Sequence, residues 1–180
     1  ITEPGRPAMV TGYSYTPNGW VERETKGNAN TVDYGYFLDG SLRSQVENKA
    51  GGTLVASHHL LYNANDPRTR NVSQVMNADN HAAYLDVTTV YGYDPRDRIT
   101  SVSKTDTSSG GALSSESYTH DANSNVIAQT IDGMATSFGY DRNRLQSSTA
   151  GGVTSGYNYD PFGRLDTVTA AGQVVQAYRY

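Results

Sequence analysis

Four aspartates recur along the chain and could act as acid–base groups. Each follows an aromatic residue or a histidine directly: Asp94, Asp121, Asp141 and Asp160. Paired carboxylates can divide proton transfer between them in hydrolysis. Aspartate also opens type I turns, because its side chain accepts hydrogen bonds from backbone amides two residues on. Regular spacing along one sheet edge would hold the carboxylates apart, so we favour the turn interpretation and predict no catalytic residue.

The histidines are the remaining candidates for a metal site. They are His58, His59, His81 and His120. Adjacent side chains on a strand point to opposite faces, so His58 and His59 are poorly placed to share a metal. His120 fills a position that holds tyrosine in other copies of a repeat. The sequence has no glycine-rich phosphate loop, no GxSxG elbow and no HExxH helix. We predict no metal, no cofactor and no enzymatic activity.

The aspartates belong to a repeat of tyrosines and turn residues. Its clearest copy is Tyr157-Asn158-Tyr159-Asp160-Pro161-Phe162-Gly163-Arg164-Leu165. Further copies begin at Tyr91, at Tyr118 and at Phe138, and the last of these is one residue shorter. The residues that we assign to the repeat motif are Tyr91, Tyr93, Asp94, Arg98, Tyr118, Asp121, Tyr140, Asp141, Arg144, Tyr157, Tyr159, Asp160, Gly163 and Arg164.

Weaker copies extend the repeat towards the start of the chain. They lie at 13–21, at 34–40 and at 66–70, where Asp66-Pro67 resembles the turn of the later copies although asparagines replace its tyrosines. Twelve of the 14 tyrosines fall in the repeat positions. We therefore expect residues 1–180 to form one continuous array, with about seven repeats and the start of an eighth, cut from a larger chain.

The repeat predicts an all-β chain. Tyr-x-Tyr places both rings on one face of a strand, and Asp-Pro-x-Gly is typical of a type I turn. A second turn, usually containing glycine, returns the chain, so each repeat is a hairpin and about 15 strands result. An open sheet of that width should curl. Residues 71–84 are ambiguous, because Val72, Val75 and Met76 also fit a short helix.

Charge and hydropathy exclude several kinds of partner. The net charge is −4 and no cluster of lysine or arginine occurs, so we predict no nucleic-acid binding. No segment approaches the roughly 18 apolar residues of a membrane helix, and we predict no membrane insertion by this segment. The tyrosine rows admit two interpretations. The rings could stack on equivalents one repeat away, which we favour, or they could form a platform for a sugar or peptide.

The Tyr-x-Tyr-Asp-x-x-Gly-Arg-Leu pattern resembles the YD repeat of the Rhs family of bacterial polymorphic toxins. The same repeat occurs in shell subunits of insecticidal toxin complexes and in teneurins. The resemblance covers 13–180 and implies a curled antiparallel sheet of consecutive β-hairpins, a segment of a hollow spiral shell. The family's self-cleavage motif is not matched, because Arg164 follows Gly163 as in an ordinary repeat.

The resemblance also implies a function. We expect a structural, non-enzymatic shell segment of an exported bacterial toxin, secreted or at the cell surface, that encapsulates a C-terminal toxic domain. Its partners would be neighbouring repeats of the same chain and an enclosed toxin domain. The alternative is a cell-surface adhesion module that binds carbohydrate or peptide.

Overall fold

A computed structural model of the chain describes residues 10–63, 66–77 and 85–180. These residues contain fifteen strands and no helix, which confirms the predicted all-β fold of consecutive antiparallel hairpins. The strands are β1 (Gly12–Tyr15), β2 (Val21–Thr25), β3 (Thr31–Tyr36), β4 (Leu42–Asn48), β5 (Leu54–Asn63), β6 (Asp66–Asn77), β7 (Leu85–Tyr93), β8 (Ile99–Asp106), β9 (Ala112–His120), β10 (Val126–Ile131), β11 (Met134–Asp141), β12 (Arg144–Ala150), β13 (Val153–Tyr159), β14 (Leu165–Ala170) and β15 (Gln173–Ala177).

The chain divides into two compact units. Unit 1 comprises Ile1–Tyr91 and Lys104–Leu113, and unit 2 comprises Gly92–Ser103 and Ser114–Tyr180. In unit 1 the strands β1 to β7 pair antiparallel in chain order. In unit 2 the strands β9 to β15 do the same. The expectation that residues 1–180 form one continuous array stays a prediction.

The turns that follow Tyr-x-Tyr, here called motif turns, share one geometry in most copies. At 160–164 the amide of Gly163 donates to the carbonyl of Asp160, and the amide of Asp160 donates to the carbonyl of Arg164, each at 2.9 Å. Gly163 has φ 82°, whereas Phe162 keeps a negative φ, so the turn is type I and not type II. A left-handed residue after a type I turn is typical of a three-residue hairpin loop. The described motif turns lie at 16–20, 37–41, 94–98, 121–125, 141–144 and 160–164.

The motif turn at 141–144 is built differently because it is one residue shorter. Asp141 pairs with Arg144, which leaves only Arg142 and Asn143 in the loop. Their φ angles are 49° and 62°. Two successive positive φ angles define a type I′ turn, whose twist matches that of the flanking strands. The missing residue therefore changes the turn type and leaves the hairpin intact.

The turns that return the chain towards the next Tyr-x-Tyr, here called return turns, are mostly two residues long in unit 2. Both loop residues have positive φ at 132–133, 151–152 and 171–172. In unit 1 the return turns at 26–30 and 49–53 are longer. In the turn at 26–30 the left-handed residue is Ala29, with φ 64°, and not Gly27, the glycine of this turn.

The structure contradicts one sequence-based expectation for the middle of the chain and, as far as Asn77, the helical alternative left open there. The motif-like stretch that begins at Asp66-Pro67 is not a turn but the start of β6. Asn63 pairs with Asp66, so Asp66 already belongs to the strand ladder where the predicted turn would begin. The helical alternative fails through Asn77, where β6 ends, and residues 78–84 lie outside the described residues.

Apolar burial is sparse in the described residues. The buried apolar side chains are Val32, Leu60 and Val102. Elsewhere the strands alternate between half-buried and exposed positions, as in β9 and β12. Lateral contacts between neighbouring strands therefore carry much of the stabilisation that a dry core supplies in an ordinary domain.

The glycine between the two aromatic residues of the motif allows a close cross-strand contact. Gly139 lies opposite Ser147, and a Cβ atom at Gly139 would lie 2.6 Å from the Ser147 hydroxyl oxygen. Gly35 with Ser44 and Gly92 with Ser101 repeat this approach, and Gly156, which precedes Tyr157 instead of lying between two aromatic residues, approaches Thr169 in the same way. The hydroxyl occupies the space that a side chain would need.

Gly139→Ala should therefore destabilise the protein, by about 1 kcal/mol, although Gly→Ala at an unstrained site stabilises by roughly 0.4–1 kcal/mol. The sign should reverse in a Ser147→Ala background, where the hydroxyl is gone. Gly12 in β1 is the matched control, because a Cβ there meets nothing within 4 Å. Urea unfolding of the four variants measures this, and equal effects at Gly139 and Gly12 would contradict it.

Candidate functional site

The aspartate of a motif turn is fully engaged by its own loop. Asp160 Oδ1 accepts hydrogen bonds from the amides of Phe162 and Arg164 at 2.9 Å each, and Oδ2 accepts from Arg164 Nε at 2.8 Å. Asp94 repeats the pattern with the amides of Arg96 and Arg98 and with Arg98 Nε. Both carboxylate oxygens are thus occupied by donors that fix the loop.

The other two aspartates differ from each other. Asp121 Oδ1 accepts from the amides of Asn123 and Asn125, and Oδ2 accepts from the Asn125 side chain. Within the described part of unit 2, Asp141 accepts no hydrogen bond from its loop. This loop has only two residues, so no backbone amide takes the place of the amides that bind the aspartate in the longer motif turns. The expectation that all four aspartates cap their turns is therefore correct for three and wrong for Asp141.

Hydrogen bonding lowers the pKa of the capping carboxyl groups. The amide of Arg164 is the largest cause at Asp160, and the Asn125 side chain is the largest cause at Asp121. A general base at neutral pH needs a raised carboxyl pKa and a free lone pair. These aspartates have neither, which favours a structural role.

In five of the six described motif-turn hairpins, the strand after the turn carries one extra residue opposite the tyrosine strand. At β12 the register passes from Leu145 opposite Tyr140 to Ser147 opposite Gly139, so Gln146 is bulged out. The equivalent bulged residues in the other described hairpins are Glu22, Arg43, Ile127 and Asp166. Such β-bulges disrupt the local ladder and increase twist.

The bulges coincide with the end of the backbone ladder between consecutive repeats. Between β12 and β13 the ladder stops at Ser147 and Gly156. Beyond it, the Tyr159 hydroxyl donates to the carbonyl of Leu145 at 2.8 Å. A side chain therefore satisfies an acceptor that the ladder no longer reaches.

The same hydrogen bond recurs at other tyrosines that occupy the second aromatic position of the motif. In each case the tyrosine hydroxyl donates to a backbone carbonyl in the first or second residue of the strand that follows the preceding motif turn. The distances are 2.8 to 3.0 Å. The pairs are Tyr36 with Val21 in unit 1, and Tyr140 with Val126, Tyr159 with Leu145 and Tyr180 with Leu165 in unit 2. We call these contacts tyrosine latches.

Arginines lie over two of the latch tyrosines, whereas the ring of Tyr36 packs against Trp20 with 5.2 Å between the ring centroids. Arg144 lies 4.9 Å from the ring centroid of Tyr159, and Arg164 lies 4.4 Å from that of Tyr180. In the segment 140–180 no two tyrosine rings contact each other. The predicted ring-on-ring ladder is thus replaced here by cation–π contacts, typically worth about 0.5–1 kcal/mol at exposed sites.

The remaining motif tyrosines make local contacts. The Tyr118 hydroxyl donates to Glu116 Oε2 at 2.5 Å, and the Tyr157 hydroxyl lies 3.1 Å from Ser148 Oγ. Tyr91 and Tyr93 are half-buried. Neither the latches nor the arginine contacts were predicted from the sequence, although the arginines that end three motif turns, Arg98, Arg144 and Arg164, were their signal.

The histidines do not converge. His58 and His59 are exposed neighbours on β5, opposite Gln45 and Ser44. His81 lies outside the described residues. In the described ranges no group of three histidine, cysteine, aspartate or glutamate side chains could hold a metal.

One open polar cleft of about 390 Å³ lies in unit 1. Its lining residues are Ser14, Glu22, Arg23, Asp33 and Tyr34. Arg23 and Asp33 form an ion pair within it, so its main charged groups satisfy each other. Across the described strands and turns, no helix has the length and apolar character to cross a membrane.

Comparison with known proteins places the fold. No protein-family model matches the chain, and no curated protein matches it in sequence. Among solved structures, TcdB2-TccC3-Cdc42 superposes with a TM-score of 0.70 at 19% identity over 93% of this chain. A Photorhabdus luminescens Tc holotoxin pore superposes with a TM-score of 0.69 at 18% identity over 89%. The chain spans about 9% of each of those chains.

These similarities define the class of fold. The chain is a segment of antiparallel hairpin repeats of the kind found in the TcdB2-TccC3 proteins. The resemblance to toxin-complex proteins that the motif predicted is thereby confirmed at the level of the fold.

Tyr159→Phe should lower stability by about 1 kcal/mol, since it removes the latch hydroxyl and leaves the Leu145 carbonyl unsatisfied. Tyr13→Phe is the control, because the Tyr13 side chain is 54% exposed and its hydroxyl has no partner in the described residues. Chemical denaturation of both variants measures the difference. A Tyr13→Phe effect as large as that of Tyr159→Phe would show that the latch hydrogen bond adds no stability beyond what any tyrosine hydroxyl contributes.

The motif turns should loosen in acid. Because the folded-state pKa of Asp121 and Asp160 lies below the ordinary value of 3.8, their stabilisation is present above that pH and is lost as the pH falls through the lowered values. Asp160→Asn keeps an acceptor for the loop amides but cannot titrate. Hydrogen exchange at 160–164 should therefore accelerate below pH 3.8 in the natural chain, after correction for intrinsic exchange, and remain flat in the variant.

Proposed function

We propose that this chain is a wall segment of a toxin shell built from YD-type hairpin repeats. The observation that carries the proposal is the fold likeness to TcdB2-TccC3 over 93% of the chain. Engaged turn carboxylates and the sparse apolar burial agree with a structural, non-enzymatic role. By the same likeness, the segment belongs to an exported bacterial protein that encloses a C-terminal toxic domain.

The architecture suits such a wall. A sheet whose apolar burial is small has two partly wet faces, and it gains rigidity from lateral contacts between repeats. Tyrosine latches, bulges and capped turns recur along the described repeats, so the wall can be extended without a new core. Neighbouring repeats are then the first partners of this segment, and the enclosed domain is the second.

Limited proteolysis of the full-length gene product tests enclosure. Segments that follow the repeats should resist a protease in the intact protein and be cut at least about tenfold faster when expressed alone, because cleavage follows the population of the accessible state. Equal cleavage rates would contradict the proposal. Binding of the intact protein to a glycan or cell surface, without protection of any segment, would instead support the adhesion alternative.

A further inference from the structure

One second aromatic position of unit 2 is filled by a residue that cannot form a tyrosine latch. His120 stands where Tyr140, Tyr159 and Tyr180 stand in the later repeats. Each of those tyrosines donates to the carbonyl of the residue that directly follows the preceding motif turn. The equivalent acceptor for His120 is the carbonyl of Ile99, the first residue of β8.

Among the described residues His120 makes no latch. An imidazole is shorter than a phenol and has no group where the tyrosine hydroxyl lies. His120 Nδ1 is buried and has no hydrogen-bond partner in the part of the chain that the structure describes. A buried ring nitrogen without a partner costs free energy, because it has lost the water that would otherwise bind it. The junction of the motif turns at 94–98 and 121–125, here called the histidine junction, is therefore held without a latch.

Two arginines bridge the histidine junction from turn to turn. Arg96 Nη1 donates to the carbonyl of Ala122 at 2.8 Å, and Arg98 Nη1 donates to the carbonyl of Asp121 at 2.7 Å. Arg98 is positioned by its own turn, since its Nε donates to Asp94 Oδ2 at 2.6 Å. Guanidinium groups thus replace the tyrosine hydroxyl at this junction.

The two kinds of contact differ in where they lie. A latch joins neighbouring strands within the sheet, and its tyrosine is half-buried at Tyr140 and Tyr159. Arg96 is exposed, so water competes for its hydrogen bond to the Ala122 carbonyl. A long exposed side chain also loses conformational entropy when it is held in one geometry. The arginine bridges should therefore hold the histidine junction less firmly than a latch holds the later ones.

We propose that the histidine junction opens first among the junctions between the motif turns of unit 2. The turns at 94–98 and 121–125 separate there, and the strand ends beside them part, while the latched junctions that follow remain closed. In a shell wall, this junction is the place where the wall parts. That role rests on the proposed function, whereas the opening itself is a property of this chain.

Hydrogen exchange of the natural-length chain tests the proposal. Amides at 114–120 should exchange roughly tenfold faster than those at 134–140, after correction for intrinsic rates, because only the second segment ends in a latch. His120→Tyr supplies the missing hydroxyl and should remove this difference. His120→Phe is the matched control, since it adds a similar ring without the hydroxyl. Exchange at 114–120 should be about tenfold slower in His120→Tyr than in His120→Phe.

The arginine bridges have a control of their own. Arg96→Ala removes one bridge and should speed exchange at 114–120 by roughly threefold to tenfold. Arg142 is likewise an exposed arginine of a motif turn, but it makes no hydrogen bond or ion pair with the described residues, so Arg142→Ala should change nothing. In the His120→Tyr background the effect of Arg96→Ala should shrink, because the new latch then holds the junction.

Three results would overturn the proposal. One is equal exchange at 114–120 and 134–140 in the natural chain. Another is a His120→Phe effect as large as that of His120→Tyr, which would leave ring burial as the cause. The third is an Arg96→Ala effect no larger than that of Arg142→Ala. None of these results bears on enclosure, which proteolysis of the full-length gene product tests separately.

Discussion

Each repeat in the described units must be held to the next by contacts within the sheet, because apolar burial is almost absent. Among the side chains that the structure describes, three apolar ones are buried and no large one is fully buried. A backbone ladder alone would serve a flat sheet, but the bulge after five of the six described motif turns interrupts that ladder. The hydrogen bond from the tyrosine hydroxyl to the preceding repeat joins the two strands where the ladder is interrupted. The positions of the tyrosine, the bulge and the turn therefore depend on one another.

This linkage explains why the motif combines its particular residue types. Aspartate fixes the loop through two amides, the following strand bulges, and the second tyrosine of the next repeat reaches the carbonyl at that bulge. Arginine lies over the tyrosine and keeps it in place, as Arg144 does over Tyr159. Glycine at the centre of Tyr-x-Tyr or Phe-x-Tyr lets the partner strand's hydroxyl approach, as at Gly139 and Ser147.

The hairpins themselves were predictable, since Tyr-x-Tyr and Asp-Pro-x-Gly determine local geometry within about nine residues. The stretch at Asp66-Pro67 was predicted wrongly because register overrides turn propensity: Asn63 already pairs with Asp66. Asp141 was assigned a capping role that a loop of two residues cannot provide. The latches join residues 14 or 15 positions apart, and no local rule gives the twist that brings them together.

Sparse apolar burial also determines how stability responds to temperature. The heat capacity increment of unfolding arises mainly from newly hydrated apolar surface, and ordinary domains gain about 12–15 cal/mol/K per residue. A chain that buries little such surface has a smaller increment, so its free energy of unfolding follows a shallow curve. Cooling then lowers the free energy of unfolding only slightly. The hydrophobic contribution, which weakens in the cold, is a minor part of the stability of these strands.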